Sequence, residues 1–315
     1  MKQLLSLRDG EHVSGIYLCK AKLAAKTKTG KTYYSLTLMD KSGTADGKIW
    51  DLSSGIDNFE AMDYIDIEGD VTVFQGVNQL NIRRVRRARD GEYDPADYLP
   101  ASRYTVSSMT EELTRLIGTV RSPHIKALLE KFFVEDKEFF AEFCRHSAAK
   151  SIHHGFVGGL LEHTVSVAVL CDFYARRYSF LNRDLLVAAA LLHDIGKVRE
   201  LSVFPENDYT DEGQLIGHIV IGVEMVDEKL RSLPDFPPVI ASEIKHCILA
   251  HHGEYEFGSP KKPALPEALA LSMADNTDAK LELVRETFLG TEGTEWLAYQ
   301  KLFESRLRKS TEYKK

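Results

Sequence analysis

Apolar and polar positions alternate along the first part of the chain and then change period. Tyr34, Leu36 and Leu38 fall on one face of a strand, with Tyr33, Ser35 and Thr37 on the other. That period of two is the signature of a half-buried strand. "DKSGTADG" supplies turn chemistry before "KIW"; Ile65, Ile67, Val71 and Val73 resume the inward row; "FQGVNQ" turns the chain again, and Leu80 and Ile82 follow. From Val13 to about Arg87 the pattern predicts about five short strands. After "RDGEYDPADYLPAS", rich in Asp, Pro and Tyr, the apolar spacing becomes helical, as in "EELTRLIGTV", "HIKALLEKFF", "LLEHTVSVAVLCDFYARRY", "RDLLVAAALLHDIGK", "GHIVIGVEMVDEKLRSL", "VIASEIKHCILAHHG" and "PEALALSMADNTDAKLELVRETF".

The expected architecture is therefore multidomain, a small all-β barrel followed by an all-α bundle. Closure removes the edges of so small a sheet, and the five-stranded OB-fold is the best candidate for residues 1–90. Residues 91–108 read as a linker and 109–315 as the helical domain, with its core at about 150–285. No internal repeat or low-complexity tract interrupts either part.

The outward row of the barrel carries chemistry of its own. Tyr33, Trp50 and Phe74 share the non-core parity with Lys48, Asn81 and Arg83. Flat rings beside cations suit single-stranded nucleic acid, whose bases stack and whose phosphates are charged. The competing reading packs these rings under a loop or against the second domain. Charge adds to the asymmetry: residues 1–90 hold 14 Lys/Arg against 12 Asp/Glu, whereas the remainder holds 26 against 35. The cluster "RRVRRAR", Arg83 to Arg89, suits phosphate contact, although a solvated strand end has the same composition.

The longest apolar run, Leu185 to Leu192, is far short of the roughly 18 to 20 residues that span a bilayer, and no signal peptide is read at the start, so a cytoplasmic protein without membrane contact is expected. Four widely spaced cysteines without CxxC fit reduced thiols.

Histidines and aspartates occupy or end the apolar helices at His163, His193, Asp194, His218, His251, His252 and Asp275. One of them alone is ordinary. Burying all seven without a cation costs several kcal/mol apiece, about the penalty for each unpaired ion. Mixed imidazole and carboxylate ligands suit Mn²⁺, Fe, Ni²⁺ or Zn²⁺ over Ca²⁺. The two oxygens of Asp194 can bridge two ions, and Lys197, four residues after His193, is expected on the same helical face, placed to meet a phosphate oxygen.

In order and type, His163, then "HD" at His193–Asp194 with "IGK" following, then Asp275, resemble the HD superfamily of metal-dependent phosphohydrolases; His218 and the "HHG" at His251–His252 resemble its two-metal members. With a barrel in front, "GGLLEHT" before the first ligand and "HHGEYEFGSPKKP" after the pair, nearly the whole chain is similar to the YhaM-type 3′-5′ exoribonucleases. The resemblance implies an OB-fold, an HD domain, one or two divalent ions with manganese foremost, and single-stranded RNA as substrate, with single-stranded DNA and a homo-oligomer as further possibilities. It implies His163, His193, Asp194 and Asp275 as the primary metal site, and Asp194, His218 and His251 as holders of a second ion. His252 is then a ligand or a phosphate contact, and His153 and His154 face substrate or serve structure. Asp194 and Lys197 are the expected catalytic pair; His252, His154, Tyr33, Trp50, Phe74, Lys48 and Arg83 are the expected substrate contacts. "HHGEYEFGSP" lacks the Gly-Tyr-Pro signature of the HD-GYP cyclic-dinucleotide enzymes.

The expected activity is thus metal-dependent 3′-5′ exoribonuclease. Two alternatives stand beside it: a nucleotide or cyclic-nucleotide phosphohydrolase with a regulatory barrel, and a non-catalytic RNA-binding protein with a degenerate metal site.

Overall fold

The computed structural model describes residues 2–53, 55–74, 77–94, 97–99, 102–150, 155–288 and 293–311. Strands β1 (His12–Lys26), β2 (Thr32–Asp40), β3 (Gly43–Ile49), β4 (Tyr64–Phe74) and β5 (Val77–Arg87) close into a barrel in the order β1-β2-β3-β5-β4. Every pairing is antiparallel except β3 with β5. This is the OB topology. The inward row is the expected one: Leu36, Leu38, Ile65, Ile67, Val71, Leu80 and Ile82 are buried, joined by Val13, Tyr17, Ile49 and Phe59.

Two details differ from the pattern. The strands are longer than expected, β1 running 15 residues, and they bend at bulges between Cys19 and Ala21 and between Glu68 and Gly69. A bulge adds local twist, which lets a long strand follow a tight barrel. Val73, expected inside, is 49% exposed. At that end of β4 it pairs only with Asn78, beyond the stretch that β1 covers, so no opposing sheet buries it.

Tyr93, Tyr98 and Leu99 lie against the barrel: Tyr98 is buried with Leu18 and Met39, Tyr93 stacks on Tyr64 with ring centroids 3.9 Å apart, and Phe204 of the helical part joins the same cluster. The helical part comprises α1 (Val106–Gly118), α2 (Pro123–Glu130) with a π-helical turn after it, α3 (Lys137–Phe143), α4 (Gly159–Arg177), α5 (Arg183–Leu192), α6 (Lys197–Glu200), α7 (Asp211–Leu215), α8 (His218–Leu230), α9 (Pro238–Ala250) and α10 (Pro266–Thr287). Contrary to an all-helical reading through residue 315, a hairpin of β6 (Trp296–Gln300) and β7 (Ser305–Arg308) follows. Trp296 and Tyr299 carry the β-propensity there, and the segment has too few apolar positions at helical spacing to bury a helix.

Helix α5 is apolar all round and buried from Leu185 to Leu192, surrounded by α2, α4, α9 and α10. Asn182 caps its start, its side chain accepting from the Leu185 amide. The chain leaves the helix at His193, turns through Asp194 to Gly196 and starts α6 at Lys197. His193 and Lys197 therefore do not share one continuous helical face; the turn brings Lys197 to Asp194 instead.

Gly196 permits that turn by close approach. A Cβ there lies 2.0 Å from the His218 carbonyl oxygen and 2.7 Å from the Gly222 amide nitrogen. Gly196→Ala is expected to destabilise the protein by about 1 to 3 kcal/mol or more, the cost of overpacking against backbone. Gly118→Ala, which meets nothing within 4 Å, is expected to be neutral or to stabilise by up to about 1 kcal/mol. Equal melting temperatures for the two variants would show that α8 does not depend on Gly196.

Candidate active site

His163 comes from the first turns of α4, Asp275 from the middle of α10, His193 and Asp194 from the turn after α5, His218 from the start of α8, and His251 and His252 from the end of α9. Five separate elements thus converge on the Asp194 carboxylate, which is buried. Its Oδ2 lies 3.3 Å from His193 Nε2 and 3.5 Å from His163 Nε2; its Oδ1 lies 3.5 Å from His218 Nε2 and 3.6 Å from His251 Nε2. His163 Nε2 is also 3.1 Å from Asp275 Oδ1 and 3.2 Å from His193 Nε2.

These separations fit cation binding. Ligand atoms that share one ion at bonds of about 2.1 Å stand roughly 3.0 to 3.4 Å apart, depending on coordination geometry. Asp194 Oδ1, His218 Nε2 and His251 Nε2 are buried without a hydrogen-bond partner among the described residues. Unsatisfied buried polar atoms are costly, and three that face one another share one remedy. His163, His193 and Asp275 form one candidate ligand group, His218, His251 and His252 another. Asp194 stands between them, one oxygen toward each.

The tautomers are set from behind. Nδ1 of His193 donates to the Ala190 carbonyl at 2.8 Å, that of His251 to Ile248 at 2.7 Å and that of His252 to Phe257 at 2.8 Å. Nδ1 of His163 meets Asp278 Oδ2 at 2.8 Å, and that of His218 meets Glu200 Oε1 at 2.9 Å. All five rings therefore use Nδ1–H on an oxygen and present Nε2, the arrangement that orients imidazole ligands. Asp278 and Glu200 were not singled out in the sequence. Their only signal is spacing, since each lies three residues after a predicted site residue, Asp275 and Lys197 respectively.

Electrostatics follows the same geometry. Burial opposes charge on Lys197, but Asp194, 2.6 Å from its Nζ, outweighs that and holds the ammonium protonated. Burial favours neutral Asp194, yet Lys197 and His193 hold its carboxyl well below the usual range. His251 and His252 are driven toward neutrality by burial and by neighbouring imidazoles. Burial likewise opposes a proton on His163, and the Asp275 and Asp278 carboxylates overcome it, pushing the pKa up to about 10.

A cleft of about 490 Å³ opens onto this centre, lined by Lys197, His252, Phe257, Met273 and Asn276 beside the ligand set. His153 and His154 lie outside the described residues. On the barrel, Tyr33 stacks on Trp50 with centroids 4.5 Å apart, and Trp50 Nε1 donates to Asn81 Oδ1. Asn81 donates in turn to Thr72, two residues before the exposed Phe74. Trp50 and Phe74 are exposed and Tyr33 is half-buried. The cations there are paired. Lys48 Nζ binds Ser35 and Asp46, and Arg83 meets Asp70 at 2.5 Å. Arg84, Arg86 and Arg87 pair with Glu68, Asp66 and Asp63.

A family model described as "HD domain" matches residues 160–280. Curated proteins named 3′-5′ exoribonuclease YhaM are similar along most of the chain. That of Bacillus velezensis is 37% identical over 275 residues, 86% of each chain; that of Bacillus subtilis (strain 168) is 36% identical over 278 residues, 87% of each. That of Listeria innocua is 35% identical over 299 residues, 94% of each.

If His163 Nε2 is a ligand, a cation must displace its proton, so binding of a divalent ion is expected to release about one proton at any pH below about 10. The sign is fixed: lowering the pH weakens binding, by about tenfold per unit where that one group dominates. Titration calorimetry with Mn²⁺ in buffers of different ionisation enthalpy measures the release. A pH-independent dissociation constant between pH 6 and 8 would remove His163 from the ligand set.

Proposed function

We propose that this chain, which belongs to the YhaM family of 3′-5′ exoribonucleases, is a metal-dependent exoribonuclease that shortens single-stranded RNA from its 3′ end, using Mn²⁺ and working in the cytoplasm. The observation that carries the reading is the convergence of four Nε2 atoms, those of His163, His193, His218 and His251, each ring fixed by an oxygen behind it, on the two oxygens of one buried aspartate. His163, His193, Asp194 and Asp275 would hold one ion; Asp194, His218 and His251, with His252 beside them, would hold a second. A divalent cation supplies Lewis acidity, making water nucleophilic near neutral pH and offsetting phosphate charge.

The chain's own groups do the rest. Asp194 sets the spacing between the two ligand groups. Lys197, held charged at the cleft wall, offers its ammonium to a phosphate oxygen and stabilises charge as the bond to the leaving oxygen lengthens. His252, neutral and with Nδ1 engaged, presents a lone pair at the mouth of the cleft. The rings of Tyr33, Trp50 and Phe74 give the strand a stacking surface upstream of the cut, assisted at its margin by Lys48 and Arg83. Single-stranded DNA offers the same bases and phosphates, and assembly into a homo-oligomer is compatible with this division.

Incubating the protein with 5′-end-labelled single-stranded RNA and Mn²⁺ tests the proposal: a ladder shortening one nucleotide at a time is expected, whereas rapid turnover of mononucleotides with RNA left intact would favour the nucleotide-phosphohydrolase alternative. Asp194→Asn is the appropriate inactive control, because Asp194→Ala strands the buried Lys197 ammonium. It is expected to lose on the order of a thousandfold or more in kcat, with its helical circular dichroism retained.

Replacing Tyr33, Trp50 and Phe74 together by alanine is expected to weaken oligonucleotide binding by about 1 to 3 kcal/mol per lost stack, without changing turnover of a small chromogenic phosphodiester. An unchanged KM on long RNA would return the barrel to a packing or assembly role.

A further inference from the structure

The rim of the metal cleft is apolar. Phe257 forms one wall, and Met273 and Leu269, one helical turn apart on α10, form the other. The same two residues line a second groove, about 350 Å³, bounded by Tyr174 in the last turn of α4 and by Tyr178 and Phe180 beyond its end. Cleft and groove therefore adjoin along α10, sharing those two side chains. Phe257, Met273, Leu269, Tyr178 and Phe180 are all half exposed or more, a contiguous apolar surface of the kind that marks a binding site. At 1.5 Å per residue, Leu269 stands ~9 Å along the helix axis from the ligand Asp275, so the groove begins within a nucleotide or two of the cut.

Resting on the exoribonuclease reading, we propose that this track holds the nucleobases next to the scissile phosphate: Phe257, Met273 and Leu269 enclose the base nearest the metals, and Tyr178 and Phe180 stack the following ones. Adjacency selects this occupant. A strand whose phosphate lies over Asp194 and Lys197 must direct its adjacent bases somewhere, and this groove adjoins the cleft along α10. Rings that stack without reading base edges also suit an enzyme that must pass every sequence. Met273, unbranched and flexible, accommodates purines and pyrimidines alike.

The test uses the full chain carrying Tyr178→Ala and Phe180→Ala, both remote from the metal ligands and exposed enough for the fold to survive. Four substrates are compared with Mn²⁺: a small chromogenic phosphodiester, an RNA dinucleotide, an RNA hexanucleotide, and hexanucleotides with one abasic position. The unmodified chain should show a raised KM when a base near the 3′ end is removed. In the double variant, KM for the intact hexanucleotide should rise about five- to a hundredfold, the loss of one or more stacks. The chromogenic ester and the dinucleotide should be unaffected, and base removal should no longer matter. Tyr178→Phe with Phe180→Tyr, which keeps both rings, should restore the original KM.

An unchanged hexanucleotide KM, or an equal loss on all substrates, overturns the track. So does an unchanged KM with a change in molar mass by light scattering, which would make the groove an interface between copies. An unmodified chain that leaves RNA intact overturns the exoribonuclease reading and the track with it, a result visible before any variant is made.

Discussion

Everything at the centre of the helical domain is arranged around one carboxylate that has been taken out of water. A buried, ionised aspartate is costly unless opposite charge and hydrogen bonds surround it. At Asp194 the protein supplies Lys197 on Oδ2 and a ring of imidazole nitrogens on both oxygens. Helix α5 holds that group in place: it is apolar on every side, so it can be driven through the core and end where α4, α8, α9 and α10 present their candidate ligands. Gly196 lets α8 come in behind the turn, so the position of His218 depends on a residue that bears no side chain.

The economy of the site lies in helix ends. His193 and His251 each follow the last residue of a helix, where the final carbonyls lack an intrahelical partner. Each ring satisfies one such carbonyl, three residues back, with Nδ1–H and so turns Nε2 toward the centre. The helix terminus and the ligand orientation are one hydrogen bond. His163 and His218 sit near helix starts, where no free carbonyl is at hand, and there the protein substitutes the carboxylates of Asp278 and Glu200. A carboxylate behind an imidazole also raises its basicity as a ligand, so the two candidate ligand groups each contain one such strengthened ring.

This contrast explains what was legible in the sequence. The barrel could be read because strand parity assigns every residue to a face, and Leu36, Leu38, Leu80 and Ile82 lie where parity puts them. The candidate ligands could be singled out because ionisable residues are conspicuous at the ends of apolar helices. Asp278 and Glu200 are inconspicuous, because a carboxylate on a mixed helix is normally a solvated one and only the three-dimensional convergence reveals its partner. Val73 was misjudged where strand pairing outruns the closed barrel. The arginine cluster was incompletely read for a related reason. The acids that answer Arg84 and Arg86 are Glu68 and Asp66, directly opposite on β4, and cross-strand register is not written in either strand alone.

That register has a consequence for how a strand is held. An arginine already paired with an acid must exchange partners to bind phosphate, so its net contribution is smaller than that of a free cation, and exposed pairs are worth little in either arrangement. Lys48 is in the same position. Under the proposed function, electrostatic capture of RNA by these paired side chains would be correspondingly weak, while the larger part of the chain is net negative and holds its cleft lysine on Asp194. Under the proposed function, stacking on exposed rings and the divalent ions would then contribute more to holding a polyanion than these paired cations do. Both are insensitive to base identity, as an exonuclease that must traverse any sequence requires. On the proposed reading, the rings at the ends of β2, β3 and β4 and the apolar rim of the cleft would act in series, the first retaining the strand and the second registering its end over Asp194.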